Sequence, residues 1–206
     1  MSEFIPQAIT AFLPDAGGLP DPDLVSEYVF QNQRRLYIDC DVDDNLLQYH
    51  RMIMRYNIED AGIPREQRKP IWLYIHSYGG DLDVMWLFVD LMRASETPIY
   101  TVNLGVCASA ASLIFITGEK RFMIKHGRVI VHEGSASISG DAVKVQDQAE
   151  AYQKELKSMK EYILENTKIP KKELMRKRNN DWVLDSEYCL ANGVCDAIIE
   201  NVGEII

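Results

Sequence analysis

Apolar positions fall along the chain in two rhythms. Short runs rich in β-branched and aromatic residues predict strands at Arg35-Leu-Tyr-Ile-Asp39, Ile71-Trp-Leu-Tyr-Ile75, Ile99-Tyr-Thr-Val102, Arg121-Phe-Met-Ile124 and Arg128-Val-Ile-Val131. The run at Ile71 is continuously apolar, as in a strand buried on both faces. Helical spacing fills the intervals. Asp43 or Asp44 can cap a helix reaching about Ile58, with Leu46, Leu47, His50, Met54 and Asn57 marking its turns. A polar loop follows over 59–69, and a second helix is predicted from about Leu82 to Ala94. Small residues from Gly105 to Ser112 are read as opening a third helix to about Thr117. Strands alternating with helices imply βαβ units, so the fold class is α/β with a largely parallel sheet.

From Asp141 to Asn166 the pattern becomes one long charged helix. Val145, Ala149, Tyr152, Leu156, Met159 and Ile163 step by three and four and form a single apolar stripe. A helix of this kind can project from the body and pack against another subunit. At the other end, residues 1–24 hold Pro6, Pro14, Gly17, Gly18, Pro20 and Pro22 and read as an irregular arm. The rest, 25–206, reads as one domain, a comfortable size for a single core.

Composition narrows the function classes. The net charge of −9 disfavours nucleic acid and anionic membranes as partners, because phosphate contact needs a basic face. No uncharged apolar run approaches the roughly 20 residues that span a bilayer. Glu3 and the lack of a basic stretch near Met1 do not suit a secretory signal. A soluble cytoplasmic protein is expected. Cys40, Cys107, Cys189 and Cys195 form no CxxC pair and no zinc-ligand spacing, so buried reduced thiols are expected and no metal site.

Two small-residue turns carry candidate chemistry. In Gly105-Val-Cys-Ala-Ser109-Ala-Ala-Ser112 a serine follows a strand and starts a helix among tiny neighbours. That is the physics of a nucleophile elbow: a substrate carbonyl can come close, and free N–H groups can stabilise an oxyanion. Tight packing or capping at a helix start explains the same residues. Gly79-Gly80 ends the preceding strand in a similar way, and ligands bind at carboxyl ends of strands in parallel sheets. His132 closes the strand Arg128–Val131 on the same edge, which makes it the favoured base. His76 is a weaker rival, His126 lies in a turn, and His50 falls on an earlier helix.

These segments carry a family resemblance. From about Arg34 to the C-terminus the chain resembles the Clp protease proteolytic-subunit family (ClpP). Tyr74-Ile-His-Ser-Tyr-Gly-Gly80 is similar to the family's Tyr-Ile-Asn-Ser-Pro-Gly-Gly, and Gly105-Val-Cys-Ala-Ser109-Ala to its Gly-Gln-Ala-Ala-Ser-Met. Arg128-Val-Ile-Val-His132 matches its Arg-Val-Met-Ile-His. Asp181-Trp-Val-Leu-Asp-Ser-Glu and Asn192-Gly-Val-Cys-Asp196 match two later segments. The resemblance implies a ClpP/crotonase-like βαβ superhelix with the 141–166 helix as its "handle". It implies a serine endopeptidase with Ser109 as nucleophile, His132 as base and Asp181 orienting the histidine. The backbone N–H groups of Gly80 and Ala110 would form the oxyanion hole. It further implies a tetradecamer of two stacked heptameric rings, unfolded polypeptides as substrates, an AAA+ unfoldase as partner, and no cofactor beyond the ATP used by that partner.

The chain departs from the pattern at His76, Tyr78, Ala110 and Glu133-Gly134, which bears on pocket shape and ATPase coupling. Glu133 also places a carboxylate next to His132 in sequence. Two other readings compete: a non-catalytic ring subunit, and a crotonase-superfamily acyl-CoA enzyme using a similar oxyanion hole.

Overall fold

The computed structural model describes residues 21–134, 137–177 and 181–206. Contacts divide the chain into two units, residues 1–33 and 34–206. The first contains helix α1 (Pro22–Asn32). Asp21 caps it by accepting from the Asp23 N–H, and proline sits in the first turn, where its missing N–H costs nothing. The apolar pattern does not announce this helix. Residues 1–20 of the Pro- and Gly-rich arm lie outside the described residues.

The second unit runs β1 (Arg35–Ile38), α2 (Leu47–Glu59), β2 (Ile71–Ser77), α3 (Leu82–Ala94), β3 (Ile99–Ala108), α4 (Ala110–Ile116), β4 (Lys120–Ile124), β5 (Arg128–Val131), α5 (Ala142–Asn166), α6 (Lys171–Lys177), β6 (Trp182–Asp185), α7 (Ser186–Ala191) and β7 (Ala197–Ile199). The sheet order is β1-β2-β3-β4-β7, with β5 on β3 and β6 on β5. Every pairing is parallel except β5 with β6. This is the expected α/β class with a largely parallel sheet.

Two expectations need correction. The small residues Gly105 to Ala108 do not open a helix; they are the second half of β3. The strand changes partner halfway. Tyr100–Asn103 pair with β4, and Val106–Ala108 pair with β5. The Asn103 side chain spans the fork, donating to the Arg128 carbonyl at 2.9 Å and accepting from the Gly105 N–H at 2.8 Å. In α2 the buried face is Tyr49, His50, Ile53 and Tyr56, following Leu46 in the 3-10 turn that Asp43 caps. Of the residues predicted to mark its turns, Leu46 and His50 are buried and Met54 is exposed.

α5 starts where its sequence says. Asp141 accepts from the Lys144 N–H at 3.0 Å, which satisfies one of the orphan donors of a first turn. Leu156, Met159, Tyr162 and Ile163 bury the later turns in the core, while Ala142 through Gln148 are exposed. Among the described residues no helix is long and apolar enough to cross a membrane.

Candidate active site

Three parallel strands end together. β2 hands over to Tyr78-Gly79-Gly80, β3 to Ser109, and β5 to His132. Register makes them neighbours: Ser77 pairs with Cys107, and Ala108 with Ile130. The antiparallel β6 places Trp182 opposite Val131, so Asp181 stands beside His132. Thus the structure brings together all five residues singled out from the sequence: Ser109, His132, Asp181, Gly80 and Ala110.

Ser109 occupies φ 52°, ψ −126° between strand and helix. A side chain there is strained by on the order of 1–3 kcal/mol, so surrounding bonds must impose it. The Ser109 N–H donates to the Ile130 carbonyl at 2.9 Å. The Ser109 carbonyl accepts from the Ser112 N–H at 2.9 Å and the Ser112 hydroxyl at 2.6 Å. Ser112 is 2% exposed and its hydroxyl is committed; Ser109 is half-buried. The Ser109 hydroxyl makes no hydrogen bond among the described residues.

The glycines have steric reasons. At Gly79, φ is 99°, and a Cβ would lie 2.7 Å from both Ser109 Cβ and the Ala108 carbonyl oxygen. At Gly80 a Cβ would collide with the Val42 carbonyl oxygen. Val42 bridges this turn: its N–H donates to the Gly79 carbonyl at 2.8 Å, and its carbonyl accepts from the Asp81 N–H at 2.7 Å. Those bonds leave the Gly80 N–H unused, and the Ala110 N–H at the start of α4 is also unused among the described residues. Both are donors of the type an oxyanion hole needs.

His132 Nδ1 lies 3.5 Å from Asp181 Oδ1, with side chains 34% and 75% exposed. That contact engages Nδ1 and not Nε2. Glu133, next to His132 in sequence, is paired with α5: Lys160 Nζ lies 2.5 Å from Glu133 Oε1. Two hollows meet at the serine. An open cleft of about 350 Å³ includes Asp41, Tyr78, Gly80, Ser109, His132 and Tyr152. A narrow slot of about 30 Å³ runs below it between Ser109, Leu113, Val131, Leu156, Met159 and Trp182. Tyr78 stands exposed at the lip, edge-on to His76. His50 is in the core, and His76 and His126 are exposed. Lys160 and Asp41 were not found by sequence reasoning, and Tyr152 was read only as part of the apolar stripe of α5. Lys160 is one of many charged positions on α5, and only the fold singles it out.

The thiols stay out of this chemistry. Cys107, Cys189 and Cys195 are buried, and burial pushes each thiol up, Cys195 to about 11. Cys40 departs from expectation by being exposed. Partial burial, followed by the carboxylates of Asp39, Asp43 and Asp41, raises its thiol too, which disfavours a reactive thiolate. Among the described residues no group of three or more His, Cys, Asp or Glu could hold a metal ion.

The Clp protease family model matches residues 36–202. The chain is 28% identical over 139 residues to the ATP-dependent Clp protease proteolytic subunit 2 of Treponema pallidum, covering 66% of this chain and 70% of the relative. It is 32% identical over 136 residues to proteolytic subunit 2 of Bifidobacterium longum, covering 65% and 66%. It is 27% identical over 198 residues to proteolytic subunit 3 of Rhodococcus jostii, covering 95% and 94%. The chain belongs to the Clp protease family and is a hydrolase of the peptidase kind.

Proposed function

We propose that this Clp protease family member is a serine endopeptidase working through Ser109, His132 and Asp181. The observation that carries the reading is the strained Ser109 at the meeting of three strand ends, with His132 and two unused N–H donors beside it. Ser109 Oγ attacks the scissile carbonyl while His132 Nε2 takes its proton. The oxyanion of the tetrahedral intermediate is held by the Gly80 and Ala110 N–H groups. His132 then gives the proton to the leaving amine, and a water repeats the sequence to free the acyl chain. Asp181 sets the imidazole tautomer. The slot at Ser109 has mostly apolar walls, with Glu133, Lys160 and Lys177 also lining it, and at about 30 Å³ it admits only a small group on the acyl side of the cut.

The names of the relatives describe subunits of an ATP-dependent protease. By analogy this chain assembles with itself into two stacked heptameric rings in the cytoplasm and receives unfolded polypeptides from an AAA+ unfoldase. It needs no cofactor of its own. A non-catalytic ring subunit would have no use for a strained, half-buried serine beside a histidine, and an acyl-CoA enzyme would not acylate it. Fluorophosphonate treatment followed by peptide mass spectrometry separates these readings. The adduct is expected on Ser109 and absent in Ser109→Ala, whose peptide hydrolysis should fall by about 10⁶-fold. An adduct on Ser112 alone, or none, overturns the assignment.

A further inference from the structure

We infer that Lys160 and Tyr152 of α5 are positioning residues for His132, acting through Glu133. The inference rests on the reading in which His132 is the base.

His132 is the first residue beyond β5, so the sheet ladder holds it from one side only. Its contact with Asp181 is 3.5 Å long and largely exposed to water, and such a contact orients a ring weakly. The residue after it is gripped twice. Lys160 Nζ stands 2.5 Å from Glu133 Oε1 as an ion pair without hydrogen-bond angles, and the Tyr152 hydroxyl donates to the Glu133 carbonyl at 2.8 Å. One contact fixes the side chain and the other the main chain, so the chain leaving His132 has little freedom to swing. The approach is close: a Cβ on Gly134 would lie 3.2 Å from the Tyr152 hydroxyl oxygen. Burial, then Glu133, pushes the Tyr152 phenol up and keeps it an O–H donor.

α5 is a fixed reference for this grip. Leu156, Met159 and Ile163 are buried in the core, Trp86 Nε1 donates to Glu155 Oε2 at 2.7 Å, and the Tyr162 and Thr117 hydroxyls meet at 2.8 Å. The helix therefore does not need Lys160 or the Tyr152 hydroxyl to stay in place. Both groups instead end on the residue that follows the base. The Lys160 and Glu133 side chains are 22% and 28% exposed, so water screens the pair less than it would a pair on the open surface.

The test compares Lys160→Met, Lys160→Arg and Tyr152→Phe with the wild type, using a small fluorogenic peptide and a fluorophosphonate. An ångström of misplacement can cost about 100-fold. In Lys160→Met, kcat should therefore fall about 10- to 100-fold with KM within about twofold, and Ser109 labelling should slow in parallel. Lys160→Arg should recover most of the rate. Tyr152→Phe, which removes only one oxygen and so is safe for folding, should give a smaller fall of the same kind. Lys160 also lines the slot at Ser109, so Lys160→Met turning over and labelling at the wild-type rate overturns the inference, as does a raised KM with unchanged kcat, which would make Lys160 a wall of that slot and nothing more. A wild type that takes no adduct at Ser109 overturns the parent reading instead.

Discussion

His132 and Asp181 meet because Val131 pairs with Trp182 across antiparallel strands, which puts the residue after one opposite the residue before the other. The contact is a property of strand register as much as of the two side chains. Its openness to water sets its expected weight. Asp181→Asn should lower kcat by about 10²- to 10⁴-fold, less than Ser109→Ala. Steady-state hydrolysis of a short peptide measures this; an unchanged kcat would remove Asp181 from the catalytic set.

Gly79 tests how tightly the nucleophile is framed. A methyl group there would strike Ser109 Cβ and the Ala108 carbonyl from a backbone conformation that already disfavours it. Gly79→Ala should therefore cut fluorophosphonate labelling by about 100-fold or more. Circular dichroism checks that the chain stays folded, since Gly79 and Ala108 are themselves buried and Ser109 is partly open. Labelling at the wild-type rate would mean that the turn can move aside.

The buried histidine outside the site predicts an acid sensitivity. His50 is 6% exposed and packs its ring 4.6 Å from Phe88. Neither ring nitrogen has a hydrogen-bond partner among the described residues. Burial holds its pKa below the ordinary value. Above about pH 6.5 the ring is neutral in both folded and unfolded chains and adds no pH dependence. Below that value the unfolded chain takes up a proton that the folded one resists. Stability is then lost as pH falls, by up to about 1.4 kcal/mol per pH unit, until the folded ring titrates. Urea unfolding on either side of that value should show a larger acid loss in the wild type than in His50→Leu. Equal losses would show that water reaches the ring.

The sequence was most legible where chemistry and local pattern coincide. Apolar runs located β2 and β5, and parallel topology then placed Ser109 and His132 on one edge. It was less legible where a distant partner decides. Gly105 to Ala108 look like a helix start and are drawn into β3 by β5, more than twenty residues downstream. Asp181 was reached only through resemblance, because no local signal says that β6 will turn antiparallel to β5. Lys160 was invisible for the same reason: its meaning depends on Glu133, on another element.

The apolar stripe of α5 divides in two, which sharpens the assembly prediction. Met159 is 6% exposed and packs in its own subunit, and Tyr152 is engaged with Glu133. Charging those positions would damage the subunit before it reported on any partner; a charge at Met159 should cost roughly 2–5 kcal/mol of folding stability. Val143 and Val145, in the first turns, are the large apolar residues of the helix that stay exposed. If two rings interlock through this helix, these are the side chains that the opposite ring covers. Val143→Glu with Val145→Glu should then reduce the sedimenting mass from a double ring to a single ring or less while leaving the unfolding midpoint of the subunit nearly unchanged. Retention of the double-ring mass would move the contact elsewhere. A wild type that sediments as one chain while cleaving peptides at full rate would remove the chamber and leave the triad standing.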